Sequence, residues 1–249
     1  VPGGVPEKTA KWFRWVKPLT QPIWKRAKKV IAVSEHTRQL ALKHYPVNVQ
    51  VIHNGADVQH LSPLAIKLNT PPHLVFAGRF VQQKNPLAIV RALSQLKDLD
   101  WYCSMLGDGP LYEEVRSGIE SSGMSDRFDL PGWVTPEDVL EHFSKSDILF
   151  MPSLSEGLPV VGVQALASGL AIVASEIGGF LDLVDNEKNG YLIDVQDVLA
   201  FSKALRGMIS NPQLLMRFRQ ASIEKSREFD IQKIVDQYQS LLHDVLNGN

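Results

Sequence analysis

Apolar positions along this chain fall into two alternating rhythms. Short, nearly continuous apolar runs recur at residues 30–34, 49–53, 73–78, 101–106, 127–130, 147–151, 171–174 and 191–193, and each predicts a strand. Between them, apolar residues return with the helical period at 35–44, 86–96, 111–121, 136–144 and 159–167. Strands separated by helices of about 10–15 residues imply βαβ units, hence a parallel sheet with right-handed crossovers. Asn54-Gly55 predicts a turn, residues 61–72 a linker, and residues 198–245 closing helices broken at Asn211-Pro212 and near Asp230.

The fold class expected is α/β: one Rossmann-like parallel-sheet lobe with part of a second lobe before it. The boundaries drawn are 1–62 for the partial N-terminal lobe and the start of the linker, 63–229 for the complete lobe, and 230–249 for a C-terminal helix. A chain of 249 residues suffices for one sizeable core plus an appendage and is short for two full domains. It starts at Val1 with no Met and no signal-like apolar stretch, so Val1 reads as a cut end. No apolar run approaches the roughly 18 residues needed to span a bilayer.

Composition changes the picture at two places. From Lys8 to Lys29 there are eight basic residues (Lys8, Lys11, Arg14, Lys17, Lys25, Arg26, Lys28, Lys29) and no acidic one, with Trp12, Trp15 and Trp24 among them. Since the whole chain is at −1, the remainder is strongly acidic and repels nucleic acid, so no nucleic-acid partner is expected. The basic, Trp-bearing segment at 8–29 suits peripheral contact with an anionic membrane. Packing of its aromatics against another lobe is the favoured alternative, because Pro18 and Pro22 should interrupt any helix there. The single cysteine, Cys103, lies in an apolar run, predicts burial and fits a reducing cytoplasm.

Ligands of open parallel sheets lie beyond the carboxyl ends of the strands, so the chemistry is sought there. After the first strand of the lobe, Gly78 lets a ligand approach the backbone, Arg79 and Lys84 are two cations, and Pro86 opens a helix. Two converging cations can neutralise a diphosphate leaving group without a metal, though each alone is equally a solvated surface cation. After the fourth strand comes Glu156-Gly157-Leu158-Pro159 at a helix start, whose free amides suit an anion or hydroxyls. Glu156 can accept from sugar hydroxyls, or simply favour the helix dipole. Gln164, further along the same helix, can reach the cleft. Gly107-Asp108-Gly109-Pro110 and Gly132-Trp133-Val134-Thr135 can edge a base slot or be ordinary turns, and Gly178-Gly179 resembles a phosphate cradle. There is no GxGxxG or P-loop fingerprint, and no cluster with metal-ligand spacing.

In order and spacing these motifs resemble glycosyltransferase family 4, the retaining GT-B enzymes, from about Ala27 to Tyr238. The landmarks are Val30 to Glu35, Val51 to Asp57, Gly78-Arg79 with Lys84, Gly107 to Pro110, Glu156 to Pro159 with Ala165 to Gly169, and Asn189 to Leu192. The resemblance implies a metal-independent hexosyltransferase that takes a nucleoside-diphosphate sugar, by default a UDP-sugar, and retains configuration. It implies catalytic roles for Arg79, Lys84 and Glu156, and donor contacts by Gly78, Gly107, Val134, Gly157, Leu158 and Pro159. The second acid of the family's signature, which holds the ribose, falls on Gln164. The acceptor would be a glycan or lipid-linked sugar, and no cofactor is implied beyond the donor. Only the last strand–helix–strand of the family's acceptor lobe is matched, so the 249 residues are expected to bind a donor but not to transfer sugar alone. A sugar-nucleotide epimerase and a non-catalytic nucleotide-sugar-binding module are the alternatives.

Overall fold

The computed structural model describes residues 7–45 and 47–247, the side chains of 7–15 and 17 excepted. Val1 and the side chains of Lys8, Lys11, Trp12, Arg14, Trp15 and Lys17 therefore lie outside the described residues. The chain opens with helix α1 (Glu7–Arg26), strand β1 (Val30–Ala32), helix α2 (Glu35–His44), strand β2 (Val49–Val51) and a short helix α3 (Val58–Leu61). β1 and β2 pair in parallel as a two-stranded sheet. Then come β3 (His73–Ala77), α4 (Pro86–Leu93), β4 (Tyr102–Leu106), α5 (Tyr112–Ser121), β5 (Phe128–Gly132), α6 (Pro136–Ser144) and β6 (Ile148–Met151). The chain continues through α7 (Val160–Ala167), β7 (Ala171–Ser175), α8 (Phe180–Leu183), β8 (Gly190–Ile193), α9 (Val198–Ile209), α10 (Pro212–Ser226) and α11 (Ile231–Leu246).

Strands β3 to β8 form one all-parallel sheet in the order β5-β4-β3-β6-β7-β8. Helices cover both faces, so β6 and β7 are buried at every position and carry no polar alternation. β5 lies at the edge, and its residues alternate between half-buried and exposed. The strand order reverses between β3 and β6. That reversal opens a crevice at the carboxyl ends of these two strands, where open α/β sheets bind ligands.

The first unit corrects one expectation. α1 continues through Pro18 and Pro22 as a single helix instead of breaking at them. The two prolines are four residues apart, so the hydrogen bonds they remove fall on one side of the coil. The last turns are held from another side: Trp24 stacks on Tyr45 with centroids 4.8 Å apart, and the Thr20 hydroxyl lies 2.8 Å from the Tyr45 hydroxyl. Leu19 and Ile23, on the outer side, are 74% and 70% exposed.

α11 returns to this unit instead of extending the main lobe. Ile234 and Leu241 join Ile52 in a separate apolar cluster, flanked by Ile31 and Val245. Backbone bonds from Ala56 N to Phe229 O and from Ile231 N to Ala56 O fix the entry of α11, and Lys28 Nζ donates to Val245 O near its end.

A buried ion pair, Arg219 with Asp147, closes the main lobe. Asp147 also accepts from the backbone and side-chain amides of Asn69 and from His73 N, while Arg219 donates to Gly169 O and Lys67 O. One carboxylate thus ties the linker, the start of β3, the start of β6 and α10 together. Removing one partner strands the other charge in a dry interior. Asp147→Ala is expected to destabilise the protein by about 3–5 kcal/mol, read from the shift of a chemical-denaturation midpoint; a loss below about 1 kcal/mol would mean the clasp is ordinary surface electrostatics.

Candidate functional site

At the switch point, the loops leaving β3 and β6 are bonded to each other along their length. Leu154 N donates to Gln83 O at 2.7 Å, Gln83 Nε2 to Ser155 O at 2.9 Å, and Asn85 Nδ2 to Pro152 O at 3.2 Å. Asn85 adopts the left-handed conformation (φ 51°) that turns the short 3-10 segment Gln82–Lys84 into α4. Asn tolerates that conformation better than most residues. The turn delivers Lys84 to Glu156, with Nζ 2.6 Å from Oε1. The Glu156 side chain is 7% exposed and that of Lys84 21%, so this pair is largely desolvated and charge-assisted.

The 156–158 segment is held from two further sides. A Cβ at Gly178 would lie 1.9 Å from Glu156 O, and one at Gly179 would lie 2.0 Å from Gly157 O. The glycine pair, which in sequence resembles a phosphate cradle, here lets the Glu156 loop lie directly on the turn after β7. From the first unit, Asn54 Nδ2 donates to Leu158 O at 2.8 Å. Asp182 on α8 accepts from Glu35 N at 2.9 Å and faces His53 Nε2 at 3.2 Å. Burial alone would raise the pKa of Asp182, but the bonds to His53 and to the Glu35 amide outweigh it and hold this carboxyl below the usual carboxylate range. The amides of Val160 and Val161 at the start of α7 make no hydrogen bond among the described residues, and Pro159 caps that end without a side-chain donor or acceptor. They are free donors at the positive end of the helix.

A cavity of about 430 Å³ opens beside this pair at the ends of β3, β4 and β5. It gathers Gly78, Arg79, Gly107 and Val134 with Asp108, Trp133 and Val161. Gly107 sits at φ 128°, and a Cβ there would lie 2.1 Å from Gly78 O, so only glycine allows the two strand exits to close up. Arg79 is exposed, and Trp133 is 73% exposed at the rim. Gln164 lines neither this cavity nor the pocket beside Glu156; it is half-buried on α7, one turn beyond Val161 on the same side by helical spacing. Leu158 and Pro159 are buried beneath the loop and Gly157 is exposed upon it.

Sequence reasoning reached Arg79, Lys84 and Glu156 but not Gln83, Asn85, Asn54 or Asp182. Their signals are single polar residues in turns, and partners 67 to 129 positions away give no local pattern. A larger cavity, about 560 Å³, lies at the opposite end of the sheet around Trp101, Tyr102 and Arg127, away from this chemistry. Cys103 is 1% exposed, and burial pushes its thiol far above the usual range, so it is inert core. Among the described residues no group of three or more His, Cys, Asp or Glu is placed to hold a metal ion, and no helix is long and apolar enough to cross a membrane.

Comparison with known proteins gives concordant results. Residues 32–225 match the family described as glycosyl transferases group 1, and residues 3–60 match glycosyltransferase family 4. An Escherichia coli protein named UDP-Gal:alpha-D-GlcNAc-diphosphoundecaprenol alpha-1,3-galactosyltransferase is 27% identical over 94% of this chain and 64% of its own length. A Corynebacterium glutamicum D-inositol 3-phosphate glycosyltransferase is 25% identical over 87% of the chain and 57% of its own length. The chain thus spans about three fifths of these curated relatives. Among solved structures, sucrose-phosphate synthase from Thermosynechococcus elongatus superposes with a TM-score of 0.83 at 19% identity, covering 95% of this chain and 63% of that one. Anabaena HepE in complex with UDP superposes with a TM-score of 0.81 at 19% identity, covering 93% and 67%. At such identities the likeness is one of fold, and the fold is that of GT-B proteins.

The close approach of the two loops is open to a direct test. Gly179→Ala forces a methyl against Gly157 O and Leu158 Cα, and is expected to destabilise by about 1–3 kcal/mol, a fall of several degrees in Tm. Gly207→Ala, in α9 with nothing near its added methyl, should instead raise Tm slightly. Equal melting behaviour of the two variants would remove the packing role given to the pair.

Proposed function

Because the chain belongs to the glycosyl transferases group 1, we propose that it binds a nucleoside-diphosphate sugar at the β3/β6 crevice for transfer of the sugar to a hydroxyl acceptor with retention of configuration. The observation that carries this reading is the Lys84–Glu156 pair at the switch point, with Arg79 at the same strand exit. Arg79 and Lys84 would take the diphosphate, and the free amides at the start of α7 would add a fixed positive dipole end. Glu156, on the other side of Lys84, would accept from sugar hydroxyls. Lys84 would then bridge the carboxylate and the diphosphate.

In transfer, the bond from the sugar's anomeric carbon to the diphosphate oxygen breaks and a bond to the acceptor oxygen forms. Negative charge develops on the leaving diphosphate, where the two cations stabilise it in a partly dry site. They supply the charge that a metal supplies elsewhere, so the reading needs no metal and no cofactor. Retention requires the acceptor oxygen to arrive on the face the diphosphate leaves, which makes the departing oxygen the nearest base for the acceptor's proton. The cavity at Gly78, Gly107 and Val134 would hold the nucleoside, with Trp133 at its rim available for stacking on a base. UDP is the default nucleotide: the E. coli relative is named for UDP-Gal and HepE is solved with UDP. Gln164 replaces the family's ribose-binding acid, and an amide can still bond a diol. That replacement is also what favours the second reading, a nucleotide-sugar-binding module without catalysis. For the 249 residues by themselves the proposal is donor binding without efficient transfer, since transfer needs donor and acceptor held together.

A glycan or lipid-linked acceptor fits the same reading. Exposed Leu19 and Ile23 beside exposed Lys25, Arg26, Lys28 and Lys29 support a peripheral contact with an anionic bilayer.

Two measurements test these proposals. By calorimetry, Arg79→Ala and Lys84→Ala are each expected to weaken UDP binding by about 1.5–3 kcal/mol, and Glu156→Ala to weaken a UDP-hexose more than UDP. Unaltered UDP affinity in both cation variants would overturn the diphosphate assignment. In vesicle flotation at low salt the chain should float with anionic lipid and not with zwitterionic lipid, and no difference between the two would end the membrane contact.

A further inference from the structure

On the far side of Glu156 from the nucleoside cavity lies a smaller pocket of about 180 Å³, lined by His36, Ser155, Glu156, Glu176, Ile177, Gly178 and Leu181. Two of its polar groups, the His36 imidazole and the Glu176 carboxylate, make no hydrogen bond or ion pair among the described residues. Glu176 leaves β7 with its backbone fixed by the bond from Glu176 N to Ile193 O at 2.7 Å. His36 stands in the first turn of α2, whose Ser34 cap accepts from Thr37 N. The two walls come from different units but are bonded to each other, because Asp182, one residue after the lining Leu181, accepts from Glu35 N, one residue before His36. The pocket is therefore a built space in which two polar groups have no protein partner among the described residues, beside the lining carboxylate that pairs with Lys84.

We propose that this pocket receives the sugar of the donor, and that Glu156, Glu176 and His36 select a neutral hexose over a hexuronic acid. This rests on the donor-binding reading and names the sugar class it takes. The order along the crevice is nucleoside cavity, Lys84, Glu156, pocket, which is the order nucleoside, diphosphate, sugar in the ligand. The volume suits a single sugar ring and little more. Two carboxylates around so small a space accept hydrogen bonds from hydroxyls and have no donor to offer, while the imidazole can donate or accept. A carboxylate on the sugar would meet the unpaired charge of Glu176 and the Glu156 carboxylate, whose charge Lys84 offsets in part, with one imidazole on the pocket wall to set against them. At separations of about 4–6 Å, that repulsion corresponds to a loss on the order of tenfold or more in affinity.

The test is calorimetry of the chain with UDP, UDP-glucose, UDP-galactose and UDP-glucuronic acid, read in each protein as the affinity ratio of the sugar nucleotide to UDP. In the wild-type chain both neutral hexoses should bind better than UDP, and UDP-glucuronic acid about tenfold or more worse than UDP-glucose. Glu176→Gln, which keeps the shape and removes one charge, should narrow that gap about tenfold. His36→Ala should lower the ratio for the neutral hexoses. Equal binding of UDP-glucose and UDP-glucuronic acid, or an unaltered gap in Glu176→Gln, overturns the proposal. Weaker binding of free hexose by His36→Ala, with the UDP-hexose ratio unmoved, assigns the pocket to the acceptor and overturns it as well. Failure of UDP itself to bind is a different result: it removes the functional reading on which the proposal stands, whereas UDP binding without sugar discrimination removes the proposal alone.

Discussion

The crevice depends on a single ion pair formed where a parallel sheet reverses its strand order. The loops after β3 and β6 leave adjacent strands toward opposite faces of the sheet, and nothing in a βαβ connection holds such loops together. Here four hydrogen bonds do so, and the Lys84–Glu156 contact ends the series. A carboxylate on a side chain 7% exposed needs a partner, and Lys84 supplies it at 2.6 Å. That pairing sets where a positive charge and a carboxylate stand relative to the free amides of α7. The larger cavity, proposed for the nucleoside, lies on one side of it and the smaller pocket on the other.

Close packing of backbone on backbone keeps the pair in place. Gly178 and Gly179 admit the Glu156 and Gly157 carbonyls to distances at which any Cβ would collide, and Gly107 does the same for Gly78. The first unit adds hydrogen bonds to the main lobe, from Asn54 to Leu158 O and from the Glu35 amide to Asp182. Any motion of β1, β2 and α11 against the main lobe must pass through these contacts. The position of the first unit and the shape of the smaller pocket are thus mechanically joined.

Much of this was legible in the sequence, for definite reasons. The buried strands β3, β6 and β7 read as unbroken apolar runs because helices cover both of their faces, and the edge strand β5 was placed less closely because its pattern is mixed. Gly78, Arg79, Lys84 and Glu156 stood out because they follow strands directly. What the sequence hid are contacts between distant positions. The pairing of Lys84 with Glu156 spans 72 residues, and nothing near either one announces it. The spacing role of Gly178-Gly179 depends on what lies opposite, and in sequence the pair only resembles a cradle. The continuity of α1 through Pro18 and Pro22 is a tertiary effect, held by Tyr45. The return of α11 to Ile52 follows from an apolar face whose partner lies about 180 residues earlier.

The central claim is that Lys84 and Glu156 act as one unit spanning diphosphate and sugar, and a double-mutant cycle on ligand binding tests it most directly. Affinities of wild type, Lys84→Met, Glu156→Gln and the double variant would be measured for UDP and for a UDP-hexose. The account predicts coupling on the UDP-hexose, where each single variant weakens binding and the double variant is little worse than the weaker single one; for UDP, Lys84→Met weakens binding with or without Glu156, and Glu156→Gln leaves it at least as tight as in wild type. Additive, independent effects of the two substitutions on the UDP-hexose would contradict it.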